Sequence, residues 1–76
     1  MEKVVELIVK SLVENKDEVN VSVTKDGEIT IVNVKVDSQD LGKVIGKQGK
    51  TANAIRTIVK NLCGKEAKRS TVKFSD

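Results

Sequence analysis

The sequence predicts an α+β fold in which helices cover one face of a three-stranded mixed sheet. Three observations support this prediction. An amphipathic helical stretch precedes two strand-like stretches separated by Asp26-Gly27, two further helical stretches flank Gly46-Lys47-Gln48-Gly49, and an alternating stretch ends the chain. The predicted element order is therefore α-β-β-α-α-β. The 76 residues are enough for one small domain, which we expect to span residues 1–76.

The first forty residues predict one helix and a β-hairpin. Apolar residues at helical spacing predict a helix over residues 2–14: Val4, Val5, Ile8 and Leu12, with Val9 and Val13 beside them. Strict alternation predicts a strand over residues 19–25, with Val19, Val21 and Val23 on one face. Asp26-Gly27 is typical of a tight turn, because both residues tolerate a positive φ. The two strands that flank it are therefore antiparallel neighbours.

The second predicted strand, over residues 28–36, has an irregular pattern. Its apolar residues shift from odd positions, Ile29 and Ile31, to even positions, Val32, Val34 and Val36. Either both faces of this strand are buried, as in a central strand, or the strand contains a bulge.

The rest of the chain predicts two helices and a third strand. Asp37-Ser38-Gln39-Asp40 is typical of a helix cap, in which Ser38 or Asp37 accepts hydrogen bonds from the first free amides. A short helix over residues 39–45 then stops at Gly46. Helical spacing returns from Lys50, ends at Gly64, and places these residues on one face: Ala52, Ile55, Ile58, Val59 and Leu62.

Residues 65–69 form a charged segment that we expect to be a solvated loop. Residues 70–75 then predict a strand with Val72 and Phe74 pointing inward. Two strands joined through helices are normally parallel neighbours in a right-handed connection. The third strand is therefore expected beside the second and parallel to it.

The composition excludes several classes of function. The sequence has no His, Trp, Tyr or Pro, one Cys and one Phe. Histidine catalysis, multi-cysteine zinc sites and an intramolecular disulfide are therefore excluded. We interpret Asp37 and Asp40 as helix caps rather than a catalytic pair, and Cys63 as a small buried or half-buried residue. We expect no enzymatic activity, no metal and no cofactor.

The sequence also carries no signal for a membrane. No apolar run approaches the roughly 18 residues that a membrane-spanning helix needs. The N-terminal residues lack the basic region and cleavage site of a signal peptide. We therefore expect a cytoplasmic protein, in agreement with its single cysteine.

Charge is distributed unevenly along the chain. Residues 1–40 carry five lysines against nine acidic residues, a net charge of −4, whereas residues 41–76 carry nine basic residues against two acidic ones, a net charge of +7. This asymmetry indicates either a polyanionic partner or a basic face that is merely solvated.

The segment Gly46–Gly49 between the two later helices, here called the glycine step, is a second indication of a polyanionic partner. Gly46 and Gly49 permit a sharp reversal and close approach of another molecule, and the step lies just before a helix N-terminus, which attracts anions. Lys43, Lys47 and Lys50 surround the step, which favours phosphate binding over a purely structural corner. Gly49-Lys50-Thr51 copies the end of a nucleotide-binding P-loop, but the first glycine of that motif is replaced by Val44, so nucleotide hydrolysis is not expected.

The stretch from Leu41 to Arg56 resembles the signature of KH domains. That signature is an apolar-Ile-Gly-x-x-Gly core with an Ile six residues after the second glycine, and here Ile45, Gly46, Gly49 and Ile55 match it. The element order is that of the type II, prokaryotic variant. The whole chain is most similar to small bacterial single-KH-domain RNA-binding proteins, the KhpA family.

This resemblance implies single-stranded RNA binding. KH domains hold about four nucleotides, with the Gly-x-x-Gly loop clamping the backbone. By similarity, Gly46, Lys47, Gln48 and Gly49 would hold phosphates with help from Lys43 and Lys50. The bases would lie in an apolar groove between the two later helices and the edge of the third strand, shaped by these residues: Val44, Ile45 and Ile55. Arg56 either braces the fold or reaches the RNA.

The family further implies an RNA-chaperone or regulatory role and a homodimer, or a heterodimer with a larger KH-containing protein. Without Trp or Tyr to stack on bases, a single domain should bind weakly and gain affinity by association. Two alternatives stay open: a KH-fold module that binds proteins, and a single-stranded DNA-binding protein.

Overall fold

A computed structural model of the chain describes residues 1–64 and 69–76. The elements in chain order are α1 (Glu2–Leu12), β1 (Asn20–Asp26), β2 (Ile29–Lys35), α2 (Leu41–Ile45), α3 (Lys50–Cys63) and β3 (Ser70–Ser75). Single 3-10 turns lie at Lys16–Glu18 and Lys47–Gly49. The predicted order α-β-β-α-α-β and the α+β class are confirmed. The predicted loop at 65–69 falls outside the described residues except for Arg69.

The three strands form one mixed sheet in the order β1-β2-β3. β1 and β2 are antiparallel around the turn at Gly27, and β2 and β3 are parallel, with Val32 opposite Val72 and Val34 opposite Phe74. The helical crossover therefore places β3 beside β2, as the connection rule predicts.

β2 is the central strand and has no bulge, because its pairs with β1 run one to one from Asp26↔Ile29 to Asn20↔Lys35. Its even-numbered positions are buried towards the helices, whereas Ile29 on the other face is exposed and Ile31 is half-buried. The irregular apolar pattern thus reflects a central strand with one open face, rather than a strand buried on both faces.

The core lies between this sheet and the helices. Its buried side chains come from α1, α2, α3, β2 and β3 and from the residues that directly follow α1 and β2: Val5, Val9, Val13, Val32, Val34, Val36, Val44, Ile55, Val59 and Val72. Phe74 and Cys63 are half-buried and pack against this cluster, as the sequence predicted for both. The predicted helical stripes are wider than the buried ones, because Val4, Ile58 and Leu62 stay exposed.

The predicted capping role of residues 37 to 40 is wrong. α2 begins at Leu41 with Asp40 at the N-cap position, and no side chain caps its amides. Asp37 instead accepts a hydrogen bond from the backbone N–H of Gln39 (2.8 Å), which closes a local turn. The Asp40 carboxylate points away from its own helix, towards the end of α1.

Asp40 joins α1 to α2. Its side chain is 1% exposed and accepts hydrogen bonds from the backbone N–H of Glu14 (3.2 Å), the backbone N–H of Asn15 (2.9 Å) and the Asn15 side-chain amide (3.0 Å). The Asn15 N–H is the main reason why the pKa of Asp40 is lowered; the Glu14 N–H, the Asn15 amide and the nearby Lys43 act in the same direction, and burial opposes them. A buried carboxylate with this many donors is satisfied in its charged form.

Candidate functional site

The loop between α2 and α3 has an unusual backbone. Gly46 has φ 76° and ψ 172°, a region that is essentially restricted to glycine, and Gly49 has φ 75° and ψ 13°, in the left-handed region. Gln48 is the one non-glycine residue with a positive φ (57°) among residues 1–64 and 69–76. Three of four consecutive residues therefore have a positive φ, which turns the chain sharply between the two helices.

Gly46 is also packed closely against the start of α3. A Cβ at Gly46 would collide with the Thr51 Oγ1 and lie 2.9 Å from the Thr51 backbone nitrogen, whereas a Cβ at Gly49 would meet nothing closer than 4.0 Å. The backbone of α2 thus ends directly against the first turn of α3. The Gly46 N–H donates to the Gly42 carbonyl (2.8 Å) and the Gly49 N–H donates to the Gly46 carbonyl (3.2 Å), which fixes both ends of the loop.

The loop leaves the side chains of Lys47 and Gln48 exposed. α3 begins at Lys50, immediately after the loop, so the positive end of its helix dipole lies at the loop. The Lys50 N–H itself donates to the Lys47 carbonyl. Lys47 and Lys50 form no ion pair with any residue of the described ranges. The loop therefore presents glycine backbone, a helix N-terminus and these two lysines together.

Lys43 is placed differently from the other two lysines. Its Nζ lies 3.0 Å from Glu14 Oε1 and 3.6 Å from Asp40 Oδ1. The bond to Glu14 is the main reason why the pKa of Lys43 is raised, and the charges of Glu14 and Asp40 add to it, while desolvation opposes them. Lys43 is therefore held at the α1–α2 junction, and any anion at the loop competes with two carboxylates for it.

The three apolar residues assigned to the groove divide into two groups. Val44 is fully buried and Ile55 is 2% exposed, so both belong to the core. Ile45, at the end of α2, is 36% exposed and is open to a neighbouring molecule. Within the described residues β3 is an edge strand that pairs with β2 on one side.

Arg56 lies on the exposed side of α3 and has two contacts. Its guanidinium carbon lies over the ring of Phe74, 5.5 Å from the ring centre, and its Nη1 donates to Asn53 Oδ1 (3.1 Å). Sequence reasoning did not single out Asn53 or the packing of Thr51 against Gly46. Spacing of four and seven residues from Gly49 was the available signal for Asn53 and Arg56, since such residues share a helix face.

Other parts of the described chain carry fewer features of a binding site than the loop between α2 and α3. A shallow depression on α1 is lined by Lys3, Glu6, Leu7 and Lys10, and the ion pair between Lys10 and Glu6 (2.8 Å) spans it. Within residues 1–64 and 69–76, no cluster of acidic, histidine or cysteine side chains has the arrangement of a metal site. The helices in those ranges are too short or too polar to cross a lipid bilayer.

Comparison with known proteins gives a consistent result. The family model described as KhpA/KhpB, KH domain matches residues 2–74. The chain is 47% identical to the RNA-binding protein KhpA of Clostridium perfringens and 48% identical to that of Clostridium acetobutylicum, each over 97% of this chain and 99% of the relative. It is 40% identical to the RNA-binding protein KhpA of Halalkalibacterium halodurans over the full length of both chains. No solved structure matches the chain significantly.

Proposed function

The chain belongs to the KhpA/KhpB family of KH domains, and we propose that it binds single-stranded RNA as one KH domain over residues 1–76. In this proposal the loop Gly46–Gly49 clamps the RNA backbone, and about four bases lie in the groove that α2, α3 and β3 border. The curated relatives named above are called RNA-binding proteins, which supports the choice of ligand.

The observation that carries this proposal is the backbone of the loop. Gly46 approaches the first turn of α3 so closely that a side chain would collide with Thr51, and the positive φ of Gln48 and Gly49 turns the chain outward again. Such a turn exposes backbone at a helix N-terminus, where a phosphate is stabilised by the positive end of the helix dipole. Lys47 and Lys50 add positive charge at the same place.

The other candidate residues would contribute to RNA binding to different degrees. Lys47 and Lys50 are the main charged contacts, whereas Lys43 contributes only if it exchanges Glu14 for phosphate. Ile45 contacts bases, and Val44 and Ile55 support the groove from the core. The side of β3 that faces away from β2 supplies backbone donors and acceptors to the bases.

We further propose a non-enzymatic role in the cytoplasm, as an RNA chaperone or post-transcriptional regulator. Few phosphate contacts and no exposed aromatic platform make the affinity of one domain low. Pairing as a homodimer, or with a larger KH-containing protein, would raise the affinity through avidity. The KhpA/KhpB name of the matched family supports a partner of that kind.

Two other functions use the same fold. A module that binds proteins is favoured by the exposed apolar side chains Leu7, which is 72% exposed, and Leu62, which is 46% exposed. Its complexes would depend little on salt, because they bury apolar surface. Single-stranded DNA binding would use the same clamp, and competition between RNA and DNA of equal sequence separates the two nucleic acids.

The clamp is tested by the double variant Lys47→Asp, Gln48→Asp. Aspartate tolerates the left-handed backbone at position 48, so the loop conformation is retained. We expect binding to short single-stranded RNA to weaken roughly tenfold or more, and the slope of log K against log salt to fall by about 0.7 for each phosphate that the variant no longer neutralises. Fluorescence anisotropy over a salt series measures both quantities.

The matched control is Ser22→Asp, Lys25→Asp, which makes the same change in net charge on the opposite edge strand, β1. It should weaken binding far less than the loop variant. Equal loss in the two variants would show that only overall charge matters. Unchanged binding in the folded loop variant would show that the loop is not the clamp.

A further inference from the structure

We propose that Arg56 forms a stacking surface for one RNA base at the groove. This inference rests on the proposed RNA binding and adds where a base is held and by which chemistry. It starts from the Arg56 guanidinium, which lies over the face of Phe74 at 5.5 Å from the ring centre, within the range of a cation–π contact. Arginine is weakly hydrated and planar, and it stacks on aromatic rings and on nucleobases alike.

The position of Arg56 follows from the face of α3 that starts at the loop. Gly49, Asn53 and Arg56 are spaced four and three residues apart, so they follow one another along one side of the helix. The Asn53 amide nitrogen lies 4.0 Å from the position that a Cβ of Gly49 would take, and Asn53 Oδ1 accepts a hydrogen bond from Arg56 Nη1 (3.1 Å). Asn53 thus links the end of the loop to Arg56, and in this proposal a nucleotide with its phosphate at Gly49 extends its base along this side of the helix towards Arg56.

The Phe74 ring packs against one face of the Arg56 guanidinium. It is half-buried against the core and lies opposite Val34 in the central strand, so the ring has little freedom. Arg56 itself is exposed, which leaves the face turned away from the ring open to a ligand. The sequence has no Trp or Tyr, and its single Phe is covered by this arginine. A guanidinium supported by an aromatic ring thus replaces the aromatic platform that the composition lacks.

Stacking on Arg56 predicts a preference for a purine at one position, because purines have the larger aromatic surface. The competing explanation is that Arg56 only braces α3 against β3. The two explanations differ in whether the effect of a substitution depends on a base in the RNA. A double-mutant cycle between protein and RNA isolates that dependence.

The cycle uses the wild type and Arg56→Lys, which keeps the charge but has no planar group. The RNAs are short single strands in which each position in turn carries a ribose without a base. In the wild type we expect one position at which removing the base weakens binding roughly fivefold or more. In Arg56→Lys the same removal should cost less than about twofold, while all other positions behave as in the wild type.

Lys60→Ala is the control for electrostatic effects, since it removes one charge a single turn further along the same helix, whereas Arg56→Lys removes none. It should keep the wild-type pattern at every position. Thermal unfolding checks that each variant is folded, which we expect because Arg56 and Lys60 are exposed. If Arg56→Lys keeps the wild-type pattern, Arg56 is a brace and the proposal is wrong.

The two proposals fail in distinguishable ways. Loss of binding in Lys47→Asp, Gln48→Asp together with an unchanged pattern in Arg56→Lys would leave the clamp in place and reject the stacking surface. If the wild type binds none of these RNAs, RNA binding is rejected and the stacking surface with it.

Discussion

Gly46 and Gly49 meet different requirements in the loop, although both have a positive φ. A side chain at Gly46 is disfavoured for two reasons: the φ and ψ of this residue, and the close contact with Thr51. Gly49 has a left-handed backbone but open space where a Cβ would lie. The two glycines of one motif therefore differ in what a substitution costs.

Alanine substitutions measure this difference. Gly49→Ala should lower the free energy of unfolding by about 1 kcal/mol, the cost of a left-handed non-glycine residue. Gly46→Ala should lower it by about 2 kcal/mol or more, because a disfavoured backbone region and a steric clash act together. Urea unfolding of the two variants beside the wild type gives both values, and equal losses would contradict the structure.

Sequence reasoning found the loop residues but not all of their neighbours. Glycines and lysines at close spacing identify Gly46, Lys47, Gln48 and Gly49 directly, because local backbone geometry selects for those residue types. The bond between Asp40 and Asn15 joins positions 25 residues apart in sequence. No local pattern reports such a contact, so the sequence suggests only a cap at Asp40. The ion pair of Lys43 with Glu14 is hidden from the sequence for the same reason.

The helices α1 and α3 show how much of a helix can be predicted from the periodicity of its apolar residues. It predicted both helices to within a few residues, but it assigned Ile58 to the buried face, where the structure leaves it 37% exposed. An apolar stripe only shows which side of a helix faces the core, and the width of the buried part depends on the sheet that covers it. The same limit applies to Val4 at the start of α1.

The contact between α1 and α2 depends on the ionised carboxylate of Asp40. All described partners of this side chain are donors or cations: the N–H groups of Glu14 and Asn15, the Asn15 amide and the Lys43 ammonium. Asp40→Asn would place its own amide donor among them, and we expect this variant to be less stable than the wild type at neutral pH. The difference should depend on pH in a defined direction.

The folded-state pKa of Asp40 is lowered relative to an unfolded value of about 3.9. The stabilisation it gives is therefore present above about pH 4 and is lost as the pH falls through the folded-state pKa. Urea unfolding between pH 6 and pH 3 should show the wild type approaching Asp40→Asn at the acid end. Asp37→Asn is the control, because an asparagine side chain can still accept the hydrogen bond that the Gln39 N–H donates to the Asp37 side chain. A constant difference at all pH values would contradict this role for Asp40.

For the whole molecule, the topology of the sheet is easier to predict from the sequence than which of its faces stays exposed. The turn predicted at Asp26-Gly27 favours antiparallel β1 and β2, although the turn lies one residue later, at Gly27-Glu28, because Asp26 still pairs with Ile29. A helical connection favours a parallel β3 beside β2. Those two rules give the observed sheet order. The irregular pattern of β2 was ambiguous, because Ile29 and Ile31 occupy the open face of the sheet, and sequence alone does not show which face stays uncovered.

The acidic and the basic half of the sequence form different elements of the fold. The basic half of the sequence supplies α2, the loop, α3 and β3, which border the proposed groove, whereas the acidic half supplies α1 and β1. Acidic residues of the first half reach two of its cations: Glu14 pairs with Lys43, and Glu28 pairs with Arg69 (3.2 Å). Five basic residues of this half form no ion pair within residues 1–64 and 69–76 and are left to attract a polyanion: Lys47 and Lys50 at the loop, and Arg56, Lys60 and Lys73 beyond it.

The most direct test of the clamp follows the backbone amides by NMR while a short single-stranded RNA is added. The account predicts that the largest shifts occur at Gly46, Lys47, Gln48, Gly49 and the first residues of α3, with smaller shifts along β3 and almost none in β1. Raising the salt concentration should reverse them, because phosphate contacts are weakened by added ions. Shifts confined to α1 or β1, with the loop amides unmoved at saturating RNA, would contradict the account.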